Sequence, residues 1–155
     1  MIREDERFIR CAIEIAQEAR DNGNHPFGAL LVDENGQILL EAENSVVTGK
    51  DSTGHAETNL MRLASAKFDE AYLAKCSVYT STEPCPMCSG EFFWANVRHV
   101  VYGLSEENFY EIVGWDSEEI LHLPCREILN EGNKEIEVVG PILEQEAVKV
   151  HAGFW

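Results

Sequence analysis

The chain has 155 residues, 28 of them acidic and 12 basic, for a formal net charge of −16. This is the length of one domain with a proper core, and the acid excess, without a basic cluster against it, disfavours phosphate backbones as partners. The longest apolar runs, "FGALLV" and "EFFWANV", are far short of a membrane span, and "MIREDERFIR" lacks the apolar stretch of a secretion signal, so a cytoplasmic protein is expected.

From Asp5 to Asn22, Phe8, Ile9, Ala12, Ile13, Ala16 and Ala19 recur at helical spacing, and "DNGN" stops the run. "FGALLVD" and "QILLEAEN" flank the turn "ENG", the pattern of a hairpin. After the polar loop "SVVTGKDSTG", the segment "HAETNLMRLASAKF" places Ala56, Leu60, Leu63 and Ala64 on one helix face. "CSVYTS" predicts a short buried strand, "CPMCSGEFFWAN" a helix and "HVVYGL" a further strand. A strand, a helix of about a dozen residues and a second strand form a crossover, which makes those two strands parallel. Beyond them, "EENFYEIVGWDSEEIL" predicts a helix broken at Gly114. "PCREILNEG" predicts a short helix and "KEIEVVG" an edge strand. "PILEQEAVKVHAGFW" predicts a helix with Pro in its first turn. The sum is an α/β sandwich, a mixed sheet opened by a hairpin with helices on both faces.

Five cysteines do not suit a disulfide framework. Cys11, Cys76 and Cys125 stand singly among apolar neighbours, as buried thiols do. Only Cys85 and Cys88 form a group. One Cys pair supplies half the ligands of a closed structural zinc site, and a thioredoxin-like redox pair needs no upstream His-x-Glu. Cys85 sits at a predicted helix start, where unpaired N–H groups and the helix dipole favour thiolate, and Cys88 shares its face. His55 stands at a second helix start. One imidazole and two thiolates around Zn²⁺ leave a fourth position open, the catalytic arrangement. Glu57, in the first turn beyond His55, can reach that position, take a proton from water and return it to a leaving amine. His-x-Glu followed by Pro-Cys-x-x-Cys is the signature of the zinc deaminases, with the Glu as acid/base rather than ligand, and "HAE" and "PCPMC" match it in order and residue type.

From "HPFGALLVDENGQIL" through "HAE" to "STEPCPMCSGEFFWANVRHVVYG", the chain resembles the cytidine-deaminase-like zinc hydrolases, in particular the guanine deaminase and tRNA-adenosine deaminase branch. The resemblance thins after about Leu104. It implies a three-layer α/β/α sandwich around a five-stranded mixed sheet, zinc on His55, Cys85 and Cys88, and Glu57 as proton shuttle. It also implies a homodimer, with residues from about 105 to 155 as candidates to close a site, their own or a neighbour's. For the base it points to Asn44 as a hydrogen-bonding residue, to Phe27 as a ring flanking the substrate, and to main-chain groups beside Ala56 and Ser81. Trp94 favours guanine deaminases over tRNA deaminases, Asp116 in "GWDS" would read the purine edge, and Phe154 or Trp155 would close the pocket. Each of these has a plain alternative: a strand-ending Asn, a core Phe or Trp, an N-cap Asp, a stapled tail. His25 is expected in a solvent-exposed loop.

The expected activity is hydrolytic deamination of a small free heterocycle, guanine first, with cytosine, cytidine, a pterin or an s-triazine as rivals. Adenosine editing in tRNA is opposed by the charge and by Trp94. A zinc-stabilised interaction module is opposed by Glu57.

Overall fold

The computed structural model describes residues 2–155. The first helix, α1 (Ile2–Asp21), begins three residues before the predicted start, since Glu4 and Asp5 suit the first turn of a helix. The predicted hairpin is β1 (Gly28–Val32) and β2 (Ile38–Glu43). There follow α2 (Ala56–Lys67), the short α3 (Glu70–Leu73), β3 (Ser77–Thr82), α4 (Pro86–Ala95) and β4 (His99–Leu104). The remainder comprises α5 (Glu106–Val113), α6 (Cys125–Asn130), β5 (Glu137–Val139), α7 (Glu144–Val148) and a 3₁₀ turn at Lys149–His151.

The strands form one five-stranded mixed sheet in the order β2-β1-β3-β4-β5. β1 is antiparallel to β2 and β3, whereas β3, β4 and β5 run parallel, as the crossover through α4 requires. Every residue of β1 is buried because both sheet faces are covered. On one face Ala29, Leu31, Val78 and Val100 pack with Leu60 and Met61 of α2 and Phe92 of α4. On the other, Leu30, Val32, Tyr79 and Val101 meet Phe8, Ile9, Ala12 and Ile15 of α1. The periodicity of α1 therefore selects its buried stripe.

Three local expectations are corrected. The helix α3 was not anticipated; its start is set by Asp69, whose side chain accepts from the Tyr72 N–H. "DSEEIL" is not helical, because α5 stops at Gly114, where φ is 100°, and Asp116 caps nothing. Pro141 is not in the first turn of α7. The Ile142 N–H is spent on Tyr102 and Gly103 of β4, which keeps the chain against the sheet until Leu143.

The topology fixes where a site can form. The start of β1, the end of β2 and the ends of β3 and β4 lie at one end of the sheet, so Phe27, Asn44, Cys85 and Glu106 arrive there from distant parts of the sequence. At Gly28 the backbone of β1 comes close to that of α1: a Cβ there would meet Ala12 O at 2.5 Å and Ala16 N at 2.6 Å. Gly28→Ala is expected to destabilise the fold by about 1–3 kcal/mol through overpacking, read as a lower urea midpoint with an unchanged slope.

Candidate metal centre and its cavity

His55 is the N-cap of α2 and Cys85 the N-cap of α4, with Pro86 in the first turn of α4. Cys88 lies one turn into α4 and is fully buried. Cys85 Sγ and Cys88 Sγ are each 3.5 Å from His55 Nδ1 and 3.6 Å from one another. A tetrahedral zinc with ordinary bond lengths has edges of about 3.8 Å between sulfurs and about 3.6 Å between sulfur and nitrogen. The donor set therefore fits zinc in both chemistry and spacing, and among the described residues it is the one His/Cys/Asp/Glu group of this kind.

The trio is also electrostatically prepared. Hydrogen bonding from Cys88, and then from His55, brings the Cys85 thiol down to about 4. The Cys85 sulfur and burial push Cys88 well up, and the hydrogen bond to Cys85 raises His55. The cluster thus favours the thiolate form at Cys85, the form that binds a metal, and the remaining protons are those a metal displaces. Burial pushes the Glu57 carboxyl up to about 7, against the opposing pull of His55. A carboxyl with that proton affinity can both take and return a proton near neutral pH.

His55, Cys85 and Glu57 line a cavity of about 450 Å³, with Cys88 fully buried behind them; the volume is within the range of small-molecule sites. A wider groove of about 630 Å³, lined by Arg98, Asn133 and Lys134 among others, contains none of these groups.

The cytidine and deoxycytidylate deaminase zinc-binding region, as a family model, matches residues 2–104. The chain belongs to this family. Zinc and the reaction class, hydrolysis of a C–N bond, come with that membership. The probable cytosine deaminase of Schizosaccharomyces pombe is 45% identical over 152 residues, 97% of this chain and 92% of that protein. The guanine deaminase of Bacillus subtilis is 38% identical over 112 residues, 72% of this chain and 70% of that one. Among solved structures, guanine deaminase from Nitrosomonas europaea superposes with a TM-score of 0.79 at 27% identity, over 94% of this chain and 81% of that chain.

In this deaminase the cavity wall includes Phe27, Trp155 and His25. His25 is half-buried rather than solvent-exposed, and burial lowers its proton affinity. Trp155 lies on the wall of its own chain's cavity, 5.4 Å from the ring of Phe109 and 6.1 Å from that of Phe27. Asn44 is buried just behind the wall. Its Oδ1 accepts from the Val46 N–H and so shapes the loop that brings Val46 to the cavity. Ala56 is fully buried between His55 and Glu57. Two residues are not brought in: Trp94 is 75% exposed on α4, and Asp116 is exposed in the turn after α5. The acid that this segment does turn to the wall is Glu119.

The sequence reading missed Phe109, Tyr110 and Val113, which line the cavity from α5. Their signal was present: an apolar stripe in "EENFYEIV", directly after a parallel strand, at the sheet end where α/β folds bind ligands.

The tail is held by a buried histidine. The Trp155 Nε1–H donates to His151 Nδ1 at 2.9 Å, and burial, with Arg20 nearby, lowers the His151 pKa from 6.5 to about 4. A histidine kept neutral by the fold contributes stability above pH 6.5, and this is lost as pH falls through about 4. The stability difference between wild type and His151→Gln should therefore shrink across that window in urea titrations. At the metal centre, Cys88→Ala is expected to lose both stoichiometric zinc and part of the fold, because metal affinity is coupled to folding; elemental analysis beside circular dichroism measures both.

Proposed function

We propose that the chain is a zinc-dependent deaminase of a small free heterocycle, with guanine as the first expected substrate, and that it acts as a cytoplasmic homodimer. The observation that carries the reading is the buried Glu57 carboxyl beside the His55, Cys85 and Cys88 donor set at the aromatic-walled cavity. Zinc held there would act as a Lewis acid that makes water nucleophilic near neutral pH. Glu57 takes the proton from water and delivers it to the departing nitrogen. A C–O bond forms at the ring carbon bearing the amino group, the C–N bond breaks, and ammonia leaves. Phe27, Phe109 and Trp155 present rings against which a planar heterocycle can stack. Asn44 is not in the cavity lining and its Oδ1 is engaged by the Val46 N–H, so its contribution to the base is carried through the loop that places Val46. Glu119 takes the edge-reading role that the sequence suggested for Asp116.

No described Lys or Arg lines the cavity, which with the −16 charge counts against tRNA or a nucleotide as substrate. Trp94 is better placed for the dimer than for the base. It stands exposed on α4, with Leu63, 51% exposed, on the neighbouring α2, and such apolar surface marks an interface. Cytosine is the second reading, favoured by the 45% identity to the fission yeast protein.

An ammonia-release screen across guanine, cytosine, adenine, their nucleosides, pterins and aminotriazines tests the proposal; zinc-loaded protein that released ammonia from none of them would favour a non-catalytic zinc module. Glu57→Gln is expected to keep its zinc and lose turnover by roughly two to four orders of magnitude. Full activity in that variant would remove Glu57 from its role.

A further inference from the structure

Between α5 and α6 the chain crosses residues 114–124 without a helix or strand, yet it contributes Glu119 and Leu121 to the cavity wall. A stretch with so little regular structure holds its position only through side chains beneath it. Tyr110 supplies one tie: its hydroxyl donates to Leu121 O at 3.1 Å and accepts from the Leu121 N–H at 3.3 Å. Glu106, one turn earlier on the same helix face, supplies another through His122 Nδ1, 2.7 Å from Glu106 Oε1. Rings of Tyr110, Trp115 and His122 pack edge to face around this pair.

Glu106 is costly where it stands. Its side chain is 4% exposed, against 41% for His122, and the groups that its carboxyl meets, His122 and the Leu123 backbone N–H, both belong to the stretch after α5. Burial and the neighbouring Glu83 both raise its proton affinity. A buried carboxyl is tolerated where a polar partner lies within hydrogen-bond distance, and removing that partner exposes the cost of burial. His122 is the partner, and it belongs to the stretch that must be placed.

The placement is referred back to the metal centre. Glu83, two residues before Cys85, accepts the N–H of Glu106 on Oε1 and the N–H of Cys125 on Oε2, both at 2.9 Å. One carboxylate thus ties the start of α5 and the start of α6 to the segment that carries Cys85, bracketing residues 114–124 from both ends.

We propose that residues 114–124 form the specificity wall of the deaminase and that Glu106 and His122 are positioning residues, which hold Glu119 and Leu121 at a fixed place in the cavity. The inference rests on the deaminase reading for its kinetic consequence but not for its structural one. The pair acts on how the heterocycle is held, leaving proton transfer to Glu57. The wall it presents, one carboxylate and one aliphatic side chain, with no described Lys or Arg in the cavity lining, suits an unphosphorylated ring that offers N–H groups.

The test compares wild type with Glu106→Gln, His122→Gln and the double variant, each loaded with zinc. Amide hydrogen exchange over residues 114–124 and steady-state kinetics are measured, using the best substrate of the ammonia screen and its 5′-nucleotide. Each single change should accelerate exchange in that stretch and raise KM by roughly 10- to 100-fold, with kcat much less affected and zinc content unchanged. The double variant should fall short of the sum, as residues acting through one contact do. Unchanged exchange and KM would overturn the assignment, as would additive effects or a loss confined to kcat. His122→Gln lies on the exposed side of the pair and keeps the test open if Glu106→Gln fails to fold. If wild type deaminates nothing, the exchange arm still decides the pair while the catalytic reading falls separately.

Discussion

Three donor atoms 3.5 to 3.6 Å apart are the constraint on which the rest of this molecule depends. They come from two helix starts, and their spacing is set by how α2 and α4 pack. Leu60, Met61 and Phe92, all fully buried, form the seam between those helices and the sheet. The hydrophobic core therefore acts as the jig of the metal centre: a side chain that changed volume there would alter the approach of α2 to α4 and with it the donor triangle. Close-packed interiors transmit such changes rather than absorb them.

The second organising feature is charge. Glu57, Glu83, Glu106 and Glu119 all reach the cavity lining, with His25 and His55 as the basic groups there. These carboxyls do different work. Glu83 is consumed by two backbone N–H groups and Glu106 faces His122. Glu57 is kept protonatable near neutral pH by burial, while Glu119 sits on an exposed stretch of the wall. Environment, not residue type, divides a tie, a strut, a proton carrier and a recognition group among four identical side chains.

How much of this was legible in the sequence follows from the range of the interactions involved. "HAE" and "PCPMC" could be read because ligand spacing on a helix start is a local property, and the hairpin and crossover could be read because turn residues and strand lengths are local too. The position of Pro141 could not, since it depends on Ile142 finding carbonyls on β4, some 40 residues back. Asp116 and Glu119 could not be told apart for the same reason: which acid faces inward is decided by the Tyr110–Leu121 and Glu106–His122 contacts, not by the spacing of acids along "GWDSEEIL". Trp94 was read from its neighbours in sequence, whereas its exposure is a property of the helix face on which it falls.

The packing of Trp155 has a practical corollary. Among the described tryptophans, Trp94 and Trp115 stand away from the cavity lining and Trp155 stands on it. An indole packed among five other aromatic rings, with its N–H already committed to His151, emits in a way that responds to what fills the space beside it. The molecule thus carries an optical gauge of occupancy at its own doorway, one that can be followed without labels and before any product has formed.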